Sequence, residues 1–269
     1  MINATSGNTV ISVENLVAGY GDRTVLNGID LSVDAGEIRV IMGGSGSGKN
    51  TLLRSLLGLK EIASGSIHLL GKRFQYGYPQ NMREVRKQMG VAFQGGALFG
   101  SMTVGENIRL PLREHTRLDE NTMRIMTRIK LELVNLAGFE DLMPSELSGG
   151  MIKRAALARS IILDPKLLFF DEPSAGLDPI TSAELDELIL RVRDATKTTI
   201  VVVTHELESA LKIADRITVL GKGQVLMTGT VEEVRNSADN RIQDMLNRRP
   251  REEEEDPEAY LQRLTNTRH

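Results

Sequence analysis

The chain has 269 residues, of which 41% are hydrophobic, and its 33 basic and 36 acidic side chains give a formal net charge of -3. This length suits one large α/β domain with room for an embedded subdomain, and the near-neutral balance argues against a nucleic-acid partner. No apolar run approaches the ~20 residues that span a bilayer, the N-terminus lacks the pattern of a signal peptide, and the absence of cysteine excludes disulfides and thiolate metal sites. We therefore expect a soluble, cytoplasmic protein.

Hydrophobic periodicity predicts the order of the elements along the chain. The predicted strands cover 11–20, 26–42, 66–70, 167–170 and 199–203, and the predicted helices cover 51–57, 81–88, 118–137, 149–163 and 180–195. The N-terminal strands alternate, which favours antiparallel pairing, whereas the later apolar strands are separated by a helix, which favours a parallel sheet. The fold class is therefore α/β, with an N-terminal antiparallel β layer and a helical block inserted into the α/β core.

A glycine-rich loop, GGSGSGKNT, lies between the strand that ends near residue 42 and the helix that follows. It fits the phosphate-loop pattern G-x-x-x-x-G-K-[ST] up to its last position. Glycine lets successive backbone N–H groups surround phosphate oxygens, the helix N-terminus adds positive potential, and a lysine can reach the β and γ phosphates. The expected phosphate-binding residues are Gly43, Gly44, Ser45, Gly46, Ser47, Gly48, Lys49, Asn50 and Thr51.

Asn50 occupies the position where a serine or threonine hydroxyl normally binds Mg²⁺. Its carboxamide oxygen is still a hard ligand, but it lies one bond further from the backbone, and the octahedral shell of Mg²⁺ tolerates little deviation. Thr51 does not simply replace it, because adjacent side chains on a helix point about 100° apart. We expect weakened Mg²⁺ coordination and slower or more Mg²⁺-dependent hydrolysis.

Two further motifs carry chemistry. The segment LLFFDEPSAGLD places Asp171 and Glu172 at the end of a predicted strand, where ligands of parallel sheets bind, so that one acid can hold Mg²⁺ and the other can orient or deprotonate a water. In LSGGMIKRAALARS, Ser148, Gly149 and Gly150 begin a helix and form a second anion-binding terminus. Since one phosphate loop already binds a nucleotide, this second site suggests the nucleotide of a partner.

With these motifs in this order, the chain resembles the ATP-binding subunits of ABC transporters from about residue 11 to residue 229, which implies a P-loop NTPase core of RecA-like, ABC ATPase type. The resemblance implies that Tyr20 stacks on the adenine of ATP, that Gln94 contacts Mg²⁺ and the attacking water, and that His205 steadies the γ phosphate. It also implies that Ser148 and Gly150 bind the γ phosphate held by a second copy in a head-to-tail dimer, and that Asp178 couples the two sites. On this interpretation Glu172, His205 and Gln94 are catalytic, and Asn50, Gln94 and Asp171 bind the metal.

Within that family the chain is most similar to subunits of Mce-linked lipid transporters, as in the Mla phospholipid system, on the segments 94–112, 147–161 and 167–189. That likeness implies phospholipid cargo, an integral membrane permease, a periplasmic Mce-type protein and a small cytoplasmic accessory protein, at the cytoplasmic face of the inner membrane. The segment after Gln94 is unusually apolar for a loop, which leaves two interpretations: Ala97, Leu98 and Phe99 line a groove that receives a short permease helix, or they are buried within the subdomain.

We expect an ABC ATPase domain at 1–234, with the helical subdomain inserted at about 95–163, and a charged extension at 235–269. Asp256 and Pro257 predict a short C-terminal helix with an apolar face of Tyr260, Leu261 and Leu264. Other possibilities stay open: the ATPase of a small-molecule importer or exporter, a soluble ABC ATPase, or a nucleotide-binding subunit with little turnover.

Overall fold

The computed structural model describes residues 8–74 and 79–249, with the backbone alone at 79–81. Its strands are β1 (Thr9–Tyr20), β2 (Arg23–Asp34), β3 (Ile38–Gly43), β4 (Ser64–Leu69), β5 (Lys72–Arg73), β6 (Met89–Ala92), β7 (Leu167–Asp171), β8 (Thr199–Val203), β9 (Arg216–Gly221) and β10 (Gln224–Gly229). Its α-helices are α1 (Lys49–Leu56), α2 (Pro79–Arg86), α3 (Val104–His115), α4 (Glu120–Leu133), α5 (Gly149–Ser160), α6 (Pro179–Thr196), α7 (Leu207–Ile213), α8 (Val231–Arg235) and α9 (Asn240–Leu246).

The strands form two sheets. The N-terminal sheet is antiparallel in the order β2-β1-β4-β5, and the larger sheet has the order β10-β9-β3-β8-β7-β6. Neighbouring strands from β9 to β6 run parallel, and β10 pairs antiparallel with β9 at one edge. The α/β class, the antiparallel layer and the parallel core predicted from the sequence are confirmed.

Each face of the larger sheet contributes to a separate hydrophobic core. Along β7, Leu168 and Phe170 pack in the core that contains the buried residues of α3, α4, α5 and α6, while Leu167 and Phe169 pack against α1 and the antiparallel sheet. The alternation follows from the two-residue period of a strand, and it explains why β7 has no polar residue before its last position. The core holds the carboxyl end of β7 in a fixed place.

Two elements differ from the sequence prediction. In the block 81–163 the sequence predicts helices separated by polar or glycine-rich breaks and no strand, but Met89–Ala92 form β6, which pairs in parallel with β7. The apolar segment after Gln94 was predicted to be a loop, but Val104–His115 form α3, which begins with a capping box between Thr103 and Glu106. The loop is therefore limited to the residues between β6 and α3.

The C-terminal part of the described chain includes elements that the sequence analysis did not predict, among them β9, β10 and the helices α7, α8 and α9. The helix α9 lies in the expected charged extension, yet its Ile242 is fully buried in the same core as α3 to α6. The predicted helix near residue 256 lies outside the described residues. Among those that the structure describes, no helix is both long and apolar enough to cross a membrane.

Candidate functional site

The carboxyl edge of the larger sheet brings the predicted catalytic residues together. The strand β8 lies between β3 and β7, and its last residue, Val203, pairs with Ile41 on one side and with Asp171 on the other. The phosphate loop follows β3, Glu172 follows β7 and His205 follows β8, so all three start from the same edge. This is the edge at which open α/β sheets bind ligands.

The backbone of the phosphate loop has the geometry that its glycines permit. Gly46 and Gly48 have φ values of 73° and 103°, in the left-handed region that side chains disfavour. A Cβ at Gly48 would lie 2.5 Å from Cδ2 of Leu26, so a side chain there would also clash. Within the described chain no side chain caps α1, and its first turn has no acidic residue, which leaves its N–H groups free for an anion.

Lys49 is buried behind the loop, where its ammonium donates to the backbone carbonyls of Gly43 at 2.7 Å and Gly44 at 3.3 Å. Burial lowers the pKa of Lys49, and the nearby carboxylates of Glu172 and Asp171 oppose that change. A cation held between the loop and two acids can move a short distance toward a bound phosphate. Ser47 Oγ, in the same loop, is buried and has no hydrogen-bond partner in the described part of the chain.

Asp171 and Asn50 line one cavity of about 170 Å³, together with the side chain of Arg54. Asp171 Oδ1 is buried and lacks a hydrogen-bond partner among the residues that the structure describes. Burial raises the pKa of Asp171, the charge of Glu172 adds to this, and Arg54 opposes it. An unpartnered carboxylate oxygen beside a carboxamide is a donor set that suits a hard cation such as Mg²⁺.

Thr51 is buried while Asn50 is exposed, so the two side chains point in different directions as the helical geometry predicted. Asn50 is thus the side chain that faces the cavity from this turn of α1. Thr51 is not among the described residues that line this cavity.

Glu172 is buried and has a left-handed backbone, with a φ of 48°. Its N–H donates to the carbonyl of Val203 at 2.8 Å, and its Oε2 accepts from the N–H of His205 at 3.2 Å and lies 2.9 Å from His205 Nδ1. Strained backbone at a sheet edge is typical of functional sites, because packing elsewhere must hold it. The His205 ring is more than half exposed, so it can also reach a ligand above this edge.

Gln94 lies in the loop that follows β6, with its side chain exposed. Its backbone carbonyl accepts a hydrogen bond from the ammonium of Lys153 on α5. Because β6 is the neighbour of β7, the loop starts beside the acidic pair. The structure therefore positions Gln94 near Asp171 and Glu172 by sheet topology and by its contact with α5.

Ser148, Gly149 and Gly150 lie at the N-terminus of α5, where Ser148 Oγ accepts from the N–H of Met151 at 3.3 Å. Within the described chain no hydrogen bond joins these residues to the phosphate loop, and Ser148 is exposed. A Cβ at Gly150 would lie 2.6 Å from Thr181 Cγ2 on α6. This terminus is available to a ligand that the chain's own phosphate loop does not hold.

Tyr20 and Asp178 each have a local role in the structure. Tyr20 ends β1 in the antiparallel sheet, about half exposed, and the Lys60 ammonium lies 4.3 Å from the centroid of its ring. Asp178 caps α6, accepting from the N–H groups of Ile180 and Thr181, and the hydrogen bond from the Thr181 side chain is the main reason that its pKa is lowered.

Comparison with known proteins agrees with this geometry. The family profile described as ABC transporter matches residues 26–175, more than half of the chain. The chain belongs to the ABC transporter family. As a member it binds ATP and hydrolyses it in support of transport, which confirms the family, the fold and the activity predicted from the sequence.

Relatives within the ABC transporter family cover most of the chain. The chain is 44% identical over 237 residues to the "Intermembrane phospholipid transport system ATP-binding protein MlaF" of Haemophilus influenzae, covering 88% of this chain and 90% of that one. It is 39% identical over 239 residues to the "Probable ribonucleotide transport ATP-binding protein mkl" of Mycobacterium leprae, covering 89% and 69%. A solved dimeric structure of a bacterial ABC transporter cassette has a TM-score of 0.75, at 28% identity and with coverage of 82% and 98%.

Several residues at this site were not found by the sequence analysis. Lys153, Arg159, Arg54 and Lys60 contact or face predicted site residues, yet none of them had been singled out. Lys153 and Arg159 lie within the LSGGMIKRAALARS segment itself, so cationic residues in that helix were the available signal. Their partners are backbone carbonyls in a distant loop, which a sequence pattern does not reveal.

Proposed function

We propose that this chain is the ATPase subunit of a transporter that moves phospholipid between the inner and outer membranes, acting at the cytoplasmic face of the inner membrane. The observation that carries the proposal is the 44% identity with the MlaF relative across nearly the whole length of both chains. The mkl relative, described as a ribonucleotide transport protein, is less similar and matches 69% of its own length. A small-molecule transporter is accordingly the second candidate.

ATP would bind with its phosphates in the loop from Gly43 to Thr51 and its adenine on Tyr20. The free N–H groups at the start of α1 and the buried ammonium of Lys49 support the phosphate assignment. One face of the Tyr20 ring is already occupied by Lys60. Adenine would therefore stack on the opposite face, sharing the aromatic ring with the cation.

Mg²⁺ is the metal that these residues would hold, through Asp171 and Asn50, with Gln94 as a further ligand. The unpartnered Asp171 Oδ1 and the shared cavity support this assignment. When bound, the ion would neutralise the negative charge of the β and γ phosphates. Arg54, which faces the same cavity, would limit the repulsion between the two acids.

Glu172 is proposed to position and deprotonate the attacking water, with His205 and Gln94 as its neighbours at the γ phosphate. Because Glu172 Oε2 already pairs with His205, the two residues would act as a unit, with the histidine orienting the carboxylate and contacting the phosphate. General-base assistance of this kind contributes typically ~10²–10⁴-fold to a rate. The left-handed backbone conformation of Glu172 sets the direction in which its side chain leaves the main chain.

A second copy of the chain would complete the site. The exposed N-terminus of α5, with Ser148, Gly149 and Gly150, would bind the γ phosphate held by the partner, and Asp178 would couple the two sites. The solved dimeric cassette of similar fold supports a pair of chains. The free N–H groups at α5 also support an anion ligand there.

The proposed machine also includes an integral membrane permease, a periplasmic Mce-type lipid-binding protein and a small cytoplasmic accessory protein. In the exposed loop before α3, Phe99 is about half exposed and would contact a permease helix along with Ala97 and Leu98. We divide the chain into an ABC ATPase domain at 1–234, with its helical subdomain at about 95–163, and a C-terminal extension at 235–269.

The test is purification of this chain together with its membrane partners, followed by lipid analysis and ATPase assays in vesicles. We expect phospholipid to copurify, ATP hydrolysis to be several times faster in the complex than in the isolated chain, and lipid transfer to stop in E172Q. Hydrolysis stimulated by a ribonucleotide or another small solute, with no lipid bound, would favour the second candidate. A complex that binds ATP but does not turn it over would contradict both.

A further inference from the structure

Two basic side chains of α5 hold the loop between β6 and α3 by donating hydrogen bonds to its backbone carbonyls. Arg159 donates to the carbonyls of Gly96 at 2.9 Å and Ala97 at 2.7 Å, and Lys153 donates to the carbonyl of Gln94. The loop also lies directly on the helix, since a Cβ at Gly96 would stand 2.7 Å from Cγ2 of Ile152. Any displacement of α5 must therefore carry this loop with it.

The other end of the loop is tied to α3. The buried Asn107 side chain accepts from the N–H of Phe99 at 2.7 Å and donates to the Phe99 carbonyl at 3.0 Å. The same amide donates to the carbonyls of Met102 and Thr103. Beyond its start at the end of β6, the loop is thus held by helices of the block between β6 and β7.

Lys153 connects that helical block to the sheet. Its ammonium donates both to the carbonyl of Gln94 and, at 3.4 Å, to the carbonyl of Glu172, the first residue after β7. Burial lowers the pKa of Lys153, and the neighbouring carboxylates of Asp171 and Glu172 oppose that change. Since a half-buried ammonium loses hydration, it depends on these protein acceptors, and the bridge holds two site residues at a fixed separation.

We infer that Lys153 is a positioning residue for hydrolysis, which transmits the arrival of a phosphate at Ser148 to Gln94 and Glu172 of the same chain. The inference rests on the proposed function, because it requires the N-terminus of α5 to bind the partner's nucleotide. Lys153 lies five residues after Ser148, which caps the same helix, so a shift of that terminus carries the Cα of Lys153 with it and alters the two hydrogen bonds that its ammonium makes. The helix then acts on two carbonyls that belong to different elements.

Removal of the bridge is expected to affect turnover more than ATP binding. In the intact complex, K153M should lower kcat roughly tenfold, as expected for loss of a typical coupling between sites. The KM for ATP should stay within about twofold, because Lys153 does not contact the phosphate loop. K153R keeps the charge and the donors and should recover at least half of the lost kcat.

The matched control is K130M, which removes another partly buried ammonium in the helical block, the one that pairs with Asp164 across 2.5 Å. Turnover is divided by the number of ATP molecules bound per chain, so molecules that fail to fold do not contribute. K130M should keep the kcat of the unchanged protein. A K153M variant with unchanged kcat, or a K153R variant no better than K153M, would overturn the role of Lys153 while leaving the proposed function intact. Absence of hydrolysis in the unchanged complex would overturn both.

Discussion

Asn50 faces the cavity that contains Asp171, at the position where the phosphate-loop pattern calls for a hydroxyl. A serine oxygen would stand one bond closer to the backbone of α1 than the carboxamide oxygen of asparagine does. With Asp171 Oδ1 unpartnered in the described chain, the cavity retains one good oxygen ligand and one that is displaced. Weakened metal binding at an otherwise complete site is the consequence we expect.

The first prediction is that N50S lowers the Mg²⁺ concentration needed for half-maximal ATPase activity by about tenfold. Substitutions around a metal site typically change metal affinity or activity by an amount of this order. The reason is that the hydroxyl restores an octahedral ligand at the usual distance. The measurement is ATP hydrolysis in the intact complex over a Mg²⁺ titration.

N50A serves as the matched control, because it removes the carboxamide without supplying another oxygen. It should raise the Mg²⁺ requirement, in the opposite direction to N50S. Equal turnover of N50S and the unchanged chain at limiting Mg²⁺ would show that residue 50 does not limit metal binding.

Single residues with a motif were predictable from the sequence, and those with only a tertiary contact were not. Lys49, Asp171, Glu172 and His205 all follow strands that end at one sheet edge. The strand pattern indicated this position for Asp171 and Glu172, the phosphate-loop motif indicated Lys49, and the family resemblance indicated His205. The bridge formed by Lys153 could not be predicted, since its acceptors are backbone carbonyls that any residue would supply.

Among the elements, β6 and α3 show where periodicity fails. Four residues with a central glycine, Met89–Ala92, are too few to display a strand period, and they pair only because β7 lies beside them. For α3 a signal did exist, since Thr103 and Glu106 form a capping box. Pro111 lies within the helix, however, and a proline in a sequence pattern normally indicates a helix end.

The second prediction concerns the contact between β6 and α5. A Cβ at Gly90 would lie 2.1 Å from the backbone carbonyl oxygen of Ser160, which cannot move without disturbing the end of the helix. G90A should therefore destabilise the fold by about 1–3 kcal/mol, or more if the helix end must shift. Thermal unfolding measures this directly, at roughly 2–4 °C per kcal/mol.

G100A is the control, because a Cβ at Gly100 would meet nothing within 4 Å. Its melting temperature should stay close to that of the unchanged chain. Equal melting temperatures for G90A and the unchanged chain would mean that β6 and α5 are less closely packed than the structure describes.

The helices α6 and α7 meet at a buried carboxylate. Asp186 is 4% exposed, and its Oδ2 accepts from Ser209 Oγ at 3.0 Å. Burial raises the pKa of Asp186, and the hydrogen bond from Ser209 only partly opposes this. Because the folded pKa lies above the unfolded one, folding is favoured while Asp186 is protonated, and this advantage is lost as the pH rises through the folded pKa.

The third prediction follows from that sign. D186N, which keeps an acceptor for Ser209 without the charge, should melt higher than the unchanged chain at neutral pH. The difference should shrink toward zero as the pH falls well below the ordinary aspartate pKa of about 3.9, because the aspartate then becomes neutral in both states. Melting curves of both proteins across this pH range test it, with E208Q, at an exposed position of α7, as the control. A lower melting temperature for D186N at neutral pH would contradict the prediction.

At the scale of the whole molecule, the exposed N-terminus of α5 is the feature that an enzyme with a complete nucleotide site in one chain would not need. Ser148 caps α5 as Thr103 caps α3, since each hydroxyl accepts a hydrogen bond from a backbone N–H in the first turn of its helix. The proposed function gives Ser148 a further ligand, the γ phosphate on a second copy. A comparison between the two caps can therefore separate helix capping from dimerisation.

The fourth prediction is that S148A weakens the ATP-dependent dimer while T103A does not. Both should lose stability by about 0.5–2 kcal/mol, because both lose a cap. The test is light scattering with ATP in an E172Q background, in which hydrolysis cannot dissolve the pair. ATP binding by the single chain should be unchanged in both. Equal dimerisation of the two variants would remove Ser148 from the interface.

The overall architecture was predictable because parallel strands, connecting helices and a phosphate loop constrain one another. The C-terminal elements were less accessible to sequence reasoning. The helix α9 is only seven residues long, and its burial depends on the core that Ile242 enters, not on its own pattern.

The central strand β8 sets a fixed width at the carboxyl edge of the sheet. It separates β3 from β7, so the two strands that lead into the phosphate loop and the acidic pair lie two strand spacings apart, about 10 Å. Backbone hydrogen bonds fix that width, and all five residues of β8 are buried, so no exposed side chain on β8 is available to adjust it. The spacing of the two loops is therefore a property of the backbone, independent of the side chains of β8. On the proposed function the adenine lies outside this gap, on Tyr20 at the end of β1, so any discrimination between bases would fall to that ring and to the Lys60 ammonium beside it.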